Sequence, residues 1–139
     1  MRSTRRQVLV LLVACPIIPL RAFACKCVPP QPFEELVAEA THIVQARVLK
    51  PRTVRNDSAT LTDWLVLRSW KGSLGEGLTF VTTSDQDDCG VAFAQGAERL
   101  LFLIGDSPFS LSRCNKIIPI EKAKRVIGRL DHSFRGSRQ

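Results

Sequence analysis

Short apolar stretches separated by polar turns fill the chain between residues 41 and 114, which predicts β-strands. Two further stretches, residues 32–40 and 121–130, carry apolar residues at helical spacing and predict short helices. The first of these opens on Pro32, a residue favoured in the first turn of a helix. The predicted strands, of which the fifth is the weakest, are residues 41–49, 60–71, 78–83, 99–104 and 109–114.

Five strands at short spacing, with one helix before and one after, favour a small closed barrel over a parallel sheet. The predicted fold class is therefore all-β, a five-stranded barrel with flanking short helices. We expect a polar loop with Pro51, Asn56 and Asp57 after the first strand. Trp64 and Trp70 are six residues apart on the second strand and are expected to share a buried face.

The first 24 residues have the three parts of a secretory signal peptide. Arginines precede an apolar run at residues 8–20, and Ala22-Phe23-Ala24 forms a small-x-small cleavage site. The run is about 13 residues long, whereas a membrane span needs roughly 20. Arg5-Arg6 followed by this run also resembles a twin-arginine export signal. The predicted organisation is a signal peptide at residues 1–24 and one exported domain, periplasmic or extracellular, at residues 25–139.

The position of cleavage has a competing interpretation. Cleavage after Ala24 makes Cys25 the first residue of the mature chain. Leu12-Val13-Ala14-Cys15, however, resembles a lipobox, which would attach a lipid to Cys15 and place the protein at a membrane. The two alternatives predict different N-termini.

Removal of the signal peptide changes the apparent charge. The whole chain has a net charge of +7, from 20 basic and 13 acidic residues, but four of the basic residues lie in the first 24. The remaining 16 basic and 13 acidic residues give +3. Single-stranded nucleic acids bind to basic grooves with aromatic platforms, and this chain has no tyrosine and only a modest mature charge. Nucleic acid is therefore not an expected partner.

Four cysteines remain after cleavage, and an even number in a small exported domain predicts two disulfides. Three pairings are possible, of which Cys25 to Cys27 is disfavoured because residues so close are locally constrained. A zinc site built from all four cysteines is the alternative, although Cys-x-Cys is not the usual spacing for one. Spacing alone leaves the pairing with Cys89 and Cys114 open.

The segment Cys25-Lys26-Cys27-Val28-Pro29-Pro30-Gln31-Pro32 resembles the start of the tissue inhibitors of metalloproteinases, within the netrin-like group. The resemblance continues at Cys89-Gly90, at residues 99–105 and at Cys114, and so covers nearly all of the mature domain. It implies a five-stranded OB-type barrel. It also implies disulfides from Cys25 to Cys89 and from Cys27 to Cys114.

By the same resemblance, the α-amino nitrogen and backbone carbonyl of Cys25 would chelate the catalytic zinc of a target metalloendopeptidase. Lys26 would enter the specificity pocket of that enzyme, and the chain would be an inhibitor without a cofactor of its own. The segment ahead of Cys89 would form a second contact strip. The implied target-binding residues are Cys25, Lys26, Cys27, Val28, Pro29, Asp87 and Asp88.

Two features depart from the family pattern. A small polar residue is usual at the position of Lys26, and a third disulfide expected early in the domain has no counterpart. The alternative function is a non-inhibitory netrin-like binding module of the cell envelope, anchored as a lipoprotein at Cys15. No enzymatic site is expected, because His42 and His132 are far apart in sequence and lack a nucleophile in a suitable setting.

Overall fold

The computed structural model describes residues 25–53, 59–85 and 89–135. The predicted signal peptide, Cys15, and the predicted contact residues Asp87 and Asp88 lie outside these ranges. Within them, the chain is mostly β, with two short α-helices and a 3-10 turn. The elements are α1 (Phe33–Glu39), β1 (His42–Thr53), β2 (Ala59–Lys71), β3 (Thr79–Asp85), β4 (Glu98–Leu103), β5 (Phe109–Ser110), β6 (Ile117–Pro119), a 3-10 turn (Ile120–Lys122) and α2 (Lys124–Ser133).

The predicted helices and the first four predicted strands are all present, with shifts at their ends. Pro51, expected in a loop, lies inside β1, where it is exposed. The fifth strand is only two residues long, and the chain then turns at residues 112–115. β6 was not predicted, because a three-residue strand that ends on Pro119 gives too short an apolar pattern.

The strands form one sheet in the order β5-β3-β2-β1-β4-β6. All its pairings are antiparallel except that of β3 with β5, which is parallel. Within the described residues, β5 and β6 end the sheet and do not pair with each other, so the sheet is a curled half-barrel. The all-β prediction is confirmed, as a curled half-barrel of six strands, whereas the five-stranded barrel stays a prediction.

Both faces of the sheet carry a hydrophobic cluster. One cluster centres on Trp64 and includes alternate residues of β1, namely Val44, Ala46 and Val48. The other cluster contains Ile43 and lies under the two helices. Because successive side chains of a strand point to opposite faces, residues 100–103 of β4 are all buried, two in each cluster.

The two tryptophans do not share a face, contrary to expectation. Trp64 is fully buried and donates its indole N–H to the hydroxyl oxygen of Thr82, with the two atoms 2.8 Å apart. Trp70 instead packs against the cluster under the helices. Gln45 lies opposite Arg68 and Ala46 opposite Val66, which leaves one extra residue on β2 between these pairs. The extra residue of such a bulge moves the side chains that follow it to the opposite face of the sheet.

Hydrogen bonds attach both helices to the end of β2. Asp131 on α2 accepts from the guanidinium of Arg68 and from the indole nitrogen of Trp70, the latter at 2.7 Å. The Lys71 ammonium donates to the carbonyl oxygens of Val37 and Ala38, at 2.8 and 3.1 Å, at the end of α1. None of the helices in the described part of the chain has the length and apolar character of a membrane span.

Candidate functional site

The segment at residues 25–32, which precedes α1, has no regular secondary structure. Cys25 is half-buried, and residues 26–30 are exposed. Val28 is 77 % exposed, the largest exposed fraction among the exposed large apolar residues of the described chain. Prolines at 29, 30 and 32 fix φ and stiffen the backbone. The segment therefore presents an apolar, conformationally restricted surface to solvent.

Two disulfides attach this segment to loops that leave β3 and β5. Cys25 is bonded to Cys89, with their Cα atoms 5.2 Å apart, and Cys27 is bonded to Cys114, with a Cα separation of 5.1 Å. This is the pairing that the resemblance implies. The four thiols are consumed in these bonds, so the alternative of a zinc site with four thiolate ligands is not formed.

The two disulfides lie against each other. The Sγ atoms of Cys25 and Cys114, which belong to different disulfides, are 3.5 Å apart. The sulfurs of Cys25, Cys27 and Cys114 all lie within 4.8 Å of one another. The N-terminal segment is therefore fixed at a single compact cross-link centre.

The loops beneath the segment are held to each other by backbone contacts. The Arg113 backbone N–H donates to the carbonyl oxygen of Cys89 at 2.9 Å, and its side-chain Nε donates to the carbonyl oxygen of Gly90 at 3.1 Å. The Val91 N–H donates to the hydroxyl oxygen of Ser84, which is buried at the end of β3. The loop at Cys89 and the turn at Cys114, which carry the disulfide partners of the segment, are thus bonded to each other and to the sheet.

The turn that carries Cys114 is stabilised by its own side chains. Asn115 Oδ1 accepts from the backbone N–H of Ser112 at 2.6 Å and from its hydroxyl at 3.1 Å. The Cys114 N–H donates to Ser112 Oγ at 3.2 Å. Sequence reasoning missed the roles of Ser112, Arg113 and Asn115. Serine and asparagine flanking a cysteine are a turn signal that could have found them.

The other end of the segment is joined to α1. The amide of Gln31 donates to the carboxylate of Glu39 at 2.9 Å, and the carbonyl oxygen of Pro32 accepts from the N–H of Leu36 at 3.0 Å. Residues 25–32 therefore have a covalent anchor at the beginning and a hydrogen-bonded anchor at the end. The exposed residues lie between the two.

The five consecutive predicted site residues lie in this anchored segment, and all but the first are exposed; they are Cys25, Lys26, Cys27, Val28 and Pro29. The predicted second strip is described only at its borders, since Asp85 ends β3 and Cys89 is disulfide-bonded to Cys25. That disulfide places Cys89, the residue that follows the strip, next to the N-terminal segment.

The two histidines lie in separate surroundings. His42 contacts the hydroxyl oxygens of Thr41 and Ser73, at 3.0 and 3.3 Å, and packs its ring edge-on against Phe109. His132 lines an open groove of about 470 Å³ between the two helices, together with Phe33. Neither histidine lies in the N-terminal segment.

One shifted pKa among the described residues belongs to an ion pair on the sheet. The hydrogen bond from the Arg47 guanidinium lowers the pKa of the Glu98 carboxyl below its usual value. Partial burial opposes this effect, and a weaker hydrogen bond from Gln45 adds to it. The pair connects β1 to β4 and lies outside the candidate site.

No protein-family model matches the chain, and no curated protein matches it either. The anchored N-terminal segment is therefore the feature of this chain that points to a function.

Proposed function

We propose that the mature chain, starting at Cys25, inhibits zinc metalloendopeptidases by chelating the catalytic zinc through its N-terminal amine and the Cys25 carbonyl. The observation that supports this most directly is the anchoring of residue 25. A disulfide attaches it to Cys89, a second disulfide lies two residues further on, and the following residues are exposed. A segment fixed in this way can meet a target without first being ordered.

The proposal includes the fold of the resemblance, an OB-type barrel of the netrin-like group. An OB-fold is a partly open five-stranded barrel. The strand order supports it, because a long β1 pairs with both β2 and β4, and β3 pairs with β5. The run β5-β3-β2-β1-β4 supplies five strands, and β6 adds a sixth at the β4 edge.

The chemistry requires a free terminal nitrogen. A catalytic zinc has three protein ligands and an open, water-bound position, and an amine with a carbonyl can displace that water, which is the nucleophile. The amine must lose its proton to bind. Because an α-amino group has a pKa of about 7.7–8.0, this loss costs little near neutral pH.

Rigidity is the contribution of the fold. A flexible ligand loses conformational freedom when it binds, at about 0.5–1.5 kcal/mol per immobilised side chain, and a preorganised ligand avoids much of that loss. The disulfides and Pro29 and Pro30 restrict the segment before it meets an enzyme. Exposed apolar surface at Val28 is then available for contact with the target.

Lys26 defines the kind of target. Its side chain is exposed in the structure, and in the proposed complex it enters the specificity pocket of the protease. Burial of an ammonium group without a partner is costly. We therefore propose a metalloendopeptidase whose pocket contains a carboxylate.

Export is part of the proposal. Two disulfides are typical of proteins that fold in oxidising compartments such as the bacterial periplasm. A secreted chain is also the one in which a signal peptidase would release the Cys25 amine.

The test compares two mature proteins against a panel of zinc endopeptidases. One begins at Cys25, as verified by intact mass, and the other carries one additional alanine ahead of it. The proposal predicts inhibition by the first and its loss in the second, because the added residue converts the amine to an amide. Equal behaviour of the two on every enzyme would refute chelation.

Intact mass of the exported protein tests the alternative, a lipid-anchored binding module. A chain that starts at an acylated Cys15 has the Cys25 nitrogen in a peptide bond and cannot chelate zinc through it. A chain that starts at Cys25, with four fewer hydrogens than its fully reduced form, agrees with the inhibitor.

A further inference from the structure

The contact between the two disulfides suggests chemistry beyond inhibition. Thiol–disulfide exchange needs an attacking thiolate and a disulfide sulfur within its reach. Here Cys114 Sγ, in one disulfide, lies 3.5 Å from Cys25 Sγ in the other. Reduction of the Cys27–Cys114 bond would therefore create a thiolate already in contact with a second disulfide.

Exposure favours the Cys27–Cys114 bond as the entry point. Both residues are exposed, whereas Cys25 and Cys89 are half-buried. Exposed disulfides are the more labile ones, and access is one of the factors that set the rate of exchange. An external thiol thus reaches the Cys27–Cys114 bond first.

The contact between the sulfurs selects Cys114 as the leaving sulfur of the first step, because its Sγ lies 3.5 Å from Cys25 Sγ. Arg113, next to Cys114 in the chain, donates its backbone N–H to the carbonyl oxygen of Cys89 and its side-chain Nε to that of Gly90, and so holds the turn at Cys114 against the loop at Cys89. Release of Cys114 therefore leaves its thiolate against the Cys25–Cys89 bond.

We propose that the paired disulfides form one thiol–disulfide exchange site, in which an external dithiol converts the Cys25–Cys89 and Cys27–Cys114 bonds into a Cys25–Cys114 bond. The first thiolate of the dithiol attacks Cys27 Sγ, forms a mixed disulfide and releases the Cys114 thiolate. That thiolate attacks Cys25 Sγ, forms the Cys25–Cys114 bond and releases the Cys89 thiolate.

The second thiol of the dithiol then resolves the mixed disulfide. It attacks the sulfur of the reagent, frees Cys27 as a thiolate and leaves the reagent as a disulfide. The two electrons come from the dithiol, and the protein gains two thiols, at Cys27 and Cys89. Thiolates at these positions take their protons from solvent.

The rearrangement would change the N-terminal segment without separating it from the domain. Cys25 would stay cross-linked, now to the turn at residues 112–115, while Cys27 and the loop at Cys89 lose their covalent connections. Under the proposed function, on which this consequence rests, exchange with a thiol would weaken inhibition. The exchange itself needs no protease.

The experiment uses the mature protein and limiting dithiothreitol under native conditions. Samples are quenched in acid, labelled with a maleimide, and mapped by peptide mass spectrometry. The proposal predicts that the first two-electron product carries label on Cys27 and Cys89 and retains a Cys25–Cys114 bond. Label on Cys27 and Cys114 with an intact Cys25–Cys89 bond would overturn it, as would label on Cys25 and Cys89, or resistance of the native protein to the dithiol.

A double variant, Cys25→Ala with Cys89→Ala, serves as the matched control. It lacks the acceptor disulfide, so its label is expected on Cys27 and Cys114, which shows that the maleimide reaches Cys114. Because the mapping does not depend on inhibition, the two proposals fail separately. A rearranged protein that never inhibited a protease would retain the exchange site and lose only the inhibitor role.

Discussion

Removal of the Cys27–Cys114 bond should destabilise the domain by a predictable amount. The perturbation is Cys27→Ala with Cys114→Ala, which opens a cross-link between residues 87 apart in sequence. Because the Cys25–Cys89 bond stays closed, the path between residues 27 and 114 runs through it and spans about 27 residues, to which the chain-entropy relation assigns about 3.6 kcal/mol at 25 °C. A domain of this size has a total unfolding free energy of about 5–15 kcal/mol, so the variant is expected to fold but to be much less stable.

The matched variant, Cys25→Ala with Cys89→Ala, opens a cross-link between residues 64 apart. The path between them through the remaining Cys27–Cys114 bond also spans about 27 residues, so the same relation again gives about 3.6 kcal/mol. Because the two effective loops have the same length and the loop term depends on length, the two variants are expected to lose nearly the same stability. Single-bond variants of this kind separate loop entropy from local contacts.

The assay is urea unfolding followed by tryptophan fluorescence, which Trp64 and Trp70 provide. A lost cross-link expands the unfolded state and raises the m-value, so the comparison should use the free energy extrapolated to water and not the midpoint. A difference of several kcal/mol between the two variants would refute the loop-entropy reasoning. An unfolding free energy equal to that of the wild type in either variant would also refute it.

Three further predictions concern single side chains. Thr82→Val leaves the buried indole N–H of Trp64 without its acceptor and should lower the unfolding free energy by about 1–3 kcal/mol. The control Thr82→Ser keeps the hydroxyl, so equal stability of the two variants would contradict a role for the hydrogen bond. The Arg47–Glu98 pair lowers the pKa of Glu98, so its contribution to the unfolding free energy is complete above the unfolded-state pKa and is lost as the pH falls through the lower folded-state pKa. Glu98→Gln should therefore flatten the acid side of a plot of unfolding free energy against pH. An unchanged slope would count against a stabilising role of the pair. Under the proposed function, Lys26→Thr removes a charge that is costly to bury. It should therefore lower the inhibition constant for metalloendopeptidases with apolar pockets by roughly ten- to a hundredfold, or about 1.4–2.8 kcal/mol. Unchanged inhibition constants on the whole panel would mean that residue 26 does not enter the pocket.

Local sequence pattern was sufficient for most of the secondary structure. α1, α2 and the strands β1 to β4 each have a run of apolar residues long enough to show its period, and all six were predicted. The fifth predicted strand, residues 109–114, is shortened to the two residues of β5, and β6 was not predicted, because a strand of three residues is too short for any period to appear. Their existence depends on neighbours in the sheet.

The facing of Trp70 shows a second limit of pattern analysis. A period of two places it with Trp64, but the extra residue on β2 reverses the strand beyond Val66. This bulge belongs to the pairing of β2 with β1, so the sequence of β2 alone does not show it. The indole of Trp70 bonds to Asp131 on α2, which is remote in sequence.

Within the candidate site, the residues themselves were visible in the sequence, whereas their support was not. Cys25, Lys26 and Cys27 stand out by their spacing and by the prolines that follow. The supporting hydrogen bonds run from Arg113 to the loop at Cys89 and between Ser112 and Asn115. No pattern in the sequence indicates that the loop and the turn lie next to each other.

The sequence by itself determined the alternating pattern of strands, the even number of cysteines after the predicted cleavage site and the stiff, proline-rich start of the domain, because each depends on residues close together in the chain. Tertiary structure decided that the sheet stays open with six strands, and that two disulfides meet within van der Waals distance under an exposed N-terminal segment. Contacts of that kind join residues 64 to 89 positions apart, and only the folded chain brings them together.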